Sequence, residues 1–192
     1  MNLSVRIHGR GGQGVVTAAE LLSMAAFDEG LHAQALPSFG SERTGAPVVA
    51  GCRISDRPIR SHDPITRPDV VVIQDPTLLR DPAVLEGLAP DGIVVVNTSG
   101  VVDALPGAGP ADGRVARWVT VPATDLARRA LGRPLPNTAL VGAVAGVTHV
   151  VDPQSLGSAI RRRFPGPVGE ANAELAARVY ALVDKSHDEE VA

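Results

Sequence analysis

Apolar and polar positions alternate along Leu3-Ser4-Val5-Arg6-Ile7-His8 and then give way to Gly9-Arg10-Gly11-Gly12-Gln13-Gly14. A period of two is a strand signature, and Val16 to Ala26 shifts to helical spacing. The pattern predicts a strand, a tight glycine turn, and a helix from about Gln13 to Glu29 that stops near Gly30. A short strand follows at His32-Ala33-Gln34-Ala35-Leu36-Pro37. Next comes the loop Pro37-Ser38-Phe39-Gly40-Ser41-Glu42-Arg43-Thr44-Gly45-Ala46-Pro47. Its glycines, prolines, aromatic and ion pair suit a functional loop better than a plain turn. Val48 to Ile54 predicts a strand, with a hairpin at Asp56-Arg57 leading to a short strand around Ile59.

Asp69 to Gln74 and Gly92 to Asn97 are continuous β-branched runs, the text of strands covered on both faces. A short helical segment, Pro82 to Leu88, lies between them. A Gly, Pro and Ala-rich loop, Leu105 to Gly113, precedes a strand at Val115 to Val121. The last third is helical. Ala123 to Leu131 has Thr124 and Asp125 as caps, and Thr138 to Val150 is apolar all round and so buried. Asp152-Pro153 opens a helix that ends near Phe164, and Gly169 to Lys185 is the last helix. Ser186 to Ala192 reads as an acidic, frayed tail. Strands alternating with helices predict a single Rossmann-like α/β domain. Its sheet is largely parallel, with helices on both faces and a hairpin insertion. In such sheets ligands bind beyond the carboxyl ends of the strands, where the glycine turn, the 37–47 loop and Asn97-Thr98 meet.

Composition narrows the function. The chain has 192 residues, 44% hydrophobic and only 3% aromatic, so the core is built from Ala, Val, Leu and Ile. A net charge of −3, with no basic stripes, gives no argument for nucleic acid. The single cysteine, Cys52, sits in an apolar run and reads as a small buried hydrophobe. One thiol cannot hold an iron–sulfur cluster or a cysteine-based zinc site by itself, and it fits a reducing, cytoplasmic setting. No basic-then-apolar N-terminal pattern marks a signal peptide. The longest apolar window, Ala139 to Val147, is too short to span a bilayer.

A glycine turn between strand and helix is an anion site by construction. The backbone can approach the ligand closely, and the helix start offers free N–H groups at the positive end of its dipole. Gly9, Gly11 and Gly14 also satisfy G-x-G-x-x-G, but the strand after the helix carries no acid to hold a ribose. No Lys-Ser/Thr completes a P-loop. Arg10 and Arg43 are candidate clamps for a phosphate or carboxylate, and Asn97 and Thr98 offer amide and hydroxyl groups to the same crevice. For Thr138 the expected role is capping. The five histidines show no metal-pair spacing, and no Ser–His–Asp set assembles. The residues describe binding rather than self-contained catalysis. A stand-alone nucleotide-binding module or NAD-dependent reductase remains a second reading.

The turn Gly9-Arg10-Gly11-Gly12-Gln13-Gly14-Val15 resembles the G-x-G-G-Q-G turn of gamma subunits of 2-oxoacid:ferredoxin oxidoreductases. The 37–47 loop is similar to that family's P-S-F-G-P-E-R-R-G-A-P, with Ser41 and Thr44 standing in place of proline and arginine. Ile54 to Ile59, Pro68 to Val71, Gln74 to Leu79, Leu131 to Pro134 with Asn137-Thr138, and Glu170-Ala171-Asn172 also resemble family segments. The resemblance implies a gamma-type domain over residues 1–185, with 186–192 as a flexible tail. It implies no catalytic residue and no metal in this chain, which would be inactive alone. The complex would form acyl-CoA, CO2 and reduced ferredoxin from a 2-oxoacid, of pyruvate or branched-chain type. Thiamine diphosphate, magnesium and iron–sulfur clusters would lie on the alpha, beta and ferredoxin-like delta subunits. Coenzyme A would be contacted here, with Gly9, Arg10, Gly11, Gly12, Gln13 and Gly14 at the anion site, joined by Asn97 and Thr98. Phe39, Glu42 and Arg43 would lie at the subunit or coenzyme A surface. A purely structural subunit of an aryl 2-oxoacid enzyme is the further alternative.

Overall fold

The structure is a computed structural model that describes residues 1–37, 44–101 and 116–191, the last seven by backbone alone. Six strands form one sheet: β1 (Asn2–Arg10), β2 (His32–Pro37), β3 (Pro47–Ser55), β4 (Val70–Ile73), β5 (Ile93–Asn97) and β6 (Arg117–Val121). Their spatial order is β2-β3-β1-β4-β5-β6. β1, β4, β5 and β6 run parallel, while β3 is antiparallel to both β1 and β2. The mixed, mostly parallel α/β sheet matches the sequence reading. The hairpin does not. Val48 to Ile54 pairs with β1 along its whole length and with β2 from Ala50 onward, and the chain around Ile59 forms no strand. Local text marks a strand but not its partner, and nine rungs against β1 with six against β2 occupy both edges of β3.

Five α-helices are found among the described residues: α1 (Val15–Asp28), α2 (Ala123–Leu131), α3 (Asn137–Thr148), α4 (Pro153–Arg163) and α5 (Pro167–Val191). They gather over one face of the sheet, where Val5, Ile7, Val70, Val72 and Val95 join the main core. Alternate residues Val71, Ile73, Val94 and Val96 point to the other face, as a period of two requires. That face carries two 3₁₀ turns, Pro76–Arg80 and Pro82–Leu85, in place of α-helices. Each opens on an Asp-Pro pair. Asp75 and Asp81 accept the N–H of Thr77 and Ala83, and the proline fits a first helical position that needs no N–H. The final helix continues to Val191, beyond the expected end at Lys185.

α3 is the hub of the helical layer, and Ala139 to Val147 are all buried. Its small residues let backbones come close. Gly142 and Gly146 lie one turn apart and face the backbone of α5 at Ala176 and Tyr180. A buried hydrogen bond from Thr138 Oγ1 to Asn172 Oδ1 (2.9 Å) fixes the same pair of helices. Thr138 therefore does not cap its helix, which starts after Pro136 without a side-chain cap. Thr124 and Asp125 likewise do not cap α2, which starts after Pro122.

Candidate functional site

The glycine turn sits where theory puts a ligand site, beyond the carboxyl end of β1 and beside the exits of β4 and β5. Three of its four glycines meet two different needs. Gly9 has no room for a side chain, since a Cβ there would come within 2.6 Å of Val15 and 3.1 Å of Gln74 Oε1. Gly12 (φ +94°) and Gly14 (φ +72°) hold the left-handed backbone that a side chain resists. Gln13 closes the turn: its Oε1 accepts the Arg10 N–H at 2.7 Å, and its own N–H donates to the Arg10 carbonyl at 3.0 Å.

α1 begins at this turn with Gly14 as its N-cap, no side-chain cap and no acid in its first turn. The first N–H groups of a helix need an outside partner, and no side chain among the described residues caps this one. A cleft of about 450 Å³ opens onto it, lined by Gly11, Gly12, Gly14, Thr17 and Thr44. Gly12, Gly14 and Thr17 also border a second, more apolar cavity of about 620 Å³. Leu131, Leu135, Phe164 and Val168 wall it, and Arg133, Asn137 and Asn172 join Thr17 as its polar groups. Asn137 is buried with its amide against Gly14, where a Cβ would lie 2.5 Å from Nδ2. It has no hydrogen-bond partner among the described residues. Neither Asn137 nor Gln74 is among the site residues expected from sequence. The Gln74 side chain is fully buried behind Gly9 with both amide atoms unpaired.

Arg10 lines the cleft but is already tied down. Nε donates to Asp75 (2.5 Å), Nη2 to Thr77 Oγ1 (2.8 Å) and Nη1 to the Gly45 carbonyl (3.1 Å). Burial alone would raise the Asp75 pKa. Hydrogen bonds from Thr77 and Arg10 outweigh it and hold the carboxyl below its ordinary value. The exit of the 37–47 loop is bonded to the turn as well: Gly11 N–H donates to Ala46 O (2.9 Å) and Gly45 N–H to Gly11 O (3.2 Å). Phe39, Glu42 and Arg43 lie outside the described residues, as do Ser41 and the Leu105–Gly113 loop. Asn97 and Thr98 line neither cavity. The Asn97 amide instead donates to Gln74 O and Thr124 Oγ1, both at 2.7 Å, and accepts the Thr124 N–H at 3.0 Å, joining β4, β5 and α2. Thr98 Oγ1 accepts the Gly100 N–H in a local turn.

Two further features bear on cofactors. Among the described residues no group of three or more His, Cys, Asp or Glu could hold a metal ion, and no helix is long and apolar enough to cross a membrane. Cys52 is fully buried and burial pushes its thiol up to about 12, so it stays protonated and offers no thiolate ligand. The dinucleotide reading also loses its context. The strand after α1 should pair directly beside β1, but β2 lies at the sheet edge, separated from β1 by the antiparallel β3.

Fold and turn thus define an α/β domain that presents an open helix start to an anion. The chain matches the model of the pyruvate ferredoxin/flavodoxin oxidoreductase family over residues 4–182. It is 47% identical to the pyruvate/ketoisovalerate oxidoreductases common subunit gamma of Thermococcus kodakarensis, over 93% of this chain and 95% of that one. The crystal structure of the pyruvate oxidoreductase subunit PORC of Thermotoga maritima superposes with a TM-score of 0.82 at 37% identity, over 94% and 96% of the two chains. This chain belongs to that family, as a gamma subunit. The same fold recurs in 2-oxoglutarate:ferredoxin oxidoreductase of Magnetococcus marinus, solved with 2-oxoglutarate, coenzyme A and succinyl-CoA bound. There the TM-score is 0.75 at 17% identity, covering 96% of this chain and 31% of that longer one.

Proposed function

We propose that this subunit serves a complex that oxidatively decarboxylates pyruvate or a branched-chain 2-oxoacid, and that its glycine turn receives coenzyme A. The observation that carries the second half is the uncapped, acid-free start of α1 with the unpaired Asn137 amide beside it. Phosphate oxygens are strong acceptors that such a helix start lacks. The apolar cavity across Gly12 and Gly14 gives the uncharged parts of the same ligand a surface. Arg10 keeps a positive charge at the cleft while Asp75 fixes its position. The bound nucleotide thiol supplies the acyl acceptor. This chain's own groups bind and orient it, with Gly9, Gly11 and Gln13 shaping the turn.

Thiamine diphosphate, magnesium and the iron–sulfur clusters belong on alpha, beta and ferredoxin-like delta subunits, with ferredoxin as electron acceptor. The buried, protonated Cys52 supports that division. The role we assign to Phe39, Glu42 and Arg43 is recognition of the partner subunits or coenzyme A. The domain is a single unit through residue 185, and the setting is cytoplasmic. The test uses the complex purified without oxygen through a tag on this chain. Thr17 lines both cavities. Thr17→Glu adds an acid to the first turn, which a helix start tolerates or favours. It should leave assembly and the KM for the 2-oxoacid unchanged while raising the KM for coenzyme A about tenfold or more. An unchanged KM for coenzyme A would make this subunit purely structural. For Arg43→Ala, unchanged assembly together with unchanged coenzyme A affinity would remove its proposed role.

A further inference from the structure

The helices leave one side of β1, β3 and β2 bare, and a second site lies there. Arg6, Gly51 and Leu36 stand in one row across the three strands, and His8 pairs with Val49 in the next. Gly51 has no side chain, and Ile65 leans over it, its Cδ1 2.6 Å from where a Cβ would sit. The result is a cavity of about 370 Å³ floored by Gly51 and lined by Arg6, His8 and His62. Leu36, Val49 and Ile65 give it apolar walls. Its volume is at the small end of the range for ligand pockets. It opens on the opposite side of the sheet from α1 and the glycine-turn cleft.

Its polar groups are all donors or cations. Arg6 Nε donates to His8 Nε2 at 3.0 Å, which leaves the N–H of a neutral His8 ring at Nδ1, with no partner among the described residues. Burial first, and then the Arg6 charge, pull His8 down to about 4, against a smaller opposing effect of Asp81, so the ring is neutral at physiological pH. The Gln34 amide donates to His62 Nδ1 (2.5 Å), which leaves Nε2–H as the second ring donor. The Arg6 guanidinium is half-buried, and its other bonds go to the carbonyls of Ile65 (3.3 Å), Val84 (3.0 Å) and Glu86 (2.6 Å). Among the described residues no carboxylate touches it, and the Glu86 charge acts on it only from beyond contact. A half-buried cation without a contacting anion, two imidazole N–H groups and apolar walls make one demand: negative charge on a small, otherwise greasy molecule.

We propose that this cavity binds a small monocarboxylate with an apolar body, separately from the glycine-turn site. The carboxylate faces His8 and His62 under the field of Arg6, and the body lies against Leu36, Val49 and Ile65. The probe is isobutyrate, titrated into the full chain and followed by calorimetry and by the ¹⁵N signals of the histidine rings. The expected result is saturable binding that shifts His8 Nδ1, with isobutyramide, the neutral isostere, about tenfold weaker or worse. His62 is exposed, so His62→Ala should keep the fold, checked by its melting curve, and weaken isobutyrate about tenfold. Val49→Phe, which fills the cavity from its wall, should abolish binding and leave the turn's own ligand unaffected. The proposal is overturned by the absence of saturable binding up to about 50 mM, by equal affinity for the amide, or by a folded His62→Ala that binds as well as the parent.

Discussion

A methyl group added to Gly142 isolates what the α3–α5 contact contributes. In an exposed helix this change is favourable by about 1 kcal/mol, because alanine orders at less entropic cost than glycine. Here the new Cβ would overlap the carbonyl oxygen of Ala176 and lie 2.9 Å from its Cα. Those are backbone atoms, so no rotamer change relieves them. α5 must retreat by about 1 Å to restore ordinary van der Waals separation. That retreat also stretches the buried Thr138–Asn172 hydrogen bond. Overpacking of this kind costs about 1–3 kcal/mol, and it exceeds the propensity gain once the hydrogen bond weakens. The expected net loss for Gly142→Ala is about 1–3 kcal/mol. For a chain of this size that lowers Tm by about 3–10 °C. Gly157→Ala in α4 is the control, because its Cβ meets only the movable end of Arg161 (3.0 Å) and the Ala173 methyl (3.9 Å). It should be neutral or stabilise by up to about 1 kcal/mol. Both are read by thermal and urea unfolding of the purified chain. Ala176→Gly should fail to rescue Gly142→Ala, since the obstruction is main chain. A Gly142→Ala protein that melts at or above the parent temperature, or one rescued by Ala176→Gly, would refute the reasoning.

Asn97→Ala removes three hydrogen bonds at a buried junction and should cost about 2–4 kcal/mol in urea unfolding while leaving ligand affinity in the folded fraction unchanged. His8 has its pKa lowered from 6.5 to about 4, so below pH 6.5 the unfolded chain takes up a proton that the folded chain refuses. Stability should therefore be full above about pH 6.5 and fall on acidification towards pH 4, by at most about 3 kcal/mol, and His8→Gln should flatten that part of the profile. Cys52 should resist thiol reagents in the folded protein and react only at the rate of unfolding, which a time course with and without urea measures.

Local text carried the first strand, the glycine turn, α1 to α4 and the buried character of α3, because each rests on spacing within a dozen residues. What it could not carry is pairing. Nothing in Val48 to Ile54 says that β3 lies between β1 and β2, since one partner comes from the chain just before it and the other from the N-terminus, some forty positions back. The two 3₁₀ turns were legible in principle, through Asp75-Pro76 and Asp81-Pro82, each an acid that caps next to a proline that starts. Asn97 was placed at the right strand end, but its bonds to Gln74 and Thr124 were not legible, because an amide at the end of a sheet reads alike whether it meets a ligand or a neighbouring helix. Asn137 and Gln74 became visible only when tertiary packing left their amides buried and unpaired.

The bonds between Gly11 and residues 44–46 have an engineering consequence. Residue 11 bridges Thr44 and exchanges main-chain hydrogen bonds with Gly45 and Ala46, and Arg10 holds the Gly45 carbonyl. The helix start and the far end of the loop are thus one piece of backbone, assembled from two stretches that lie more than thirty positions apart. A transplant of residues 9–17 into another α/β scaffold would carry the glycines without the strap that holds them. A graft that also brings residues 44–47, and a strand to anchor them beside β1, is the smallest unit that should keep its shape.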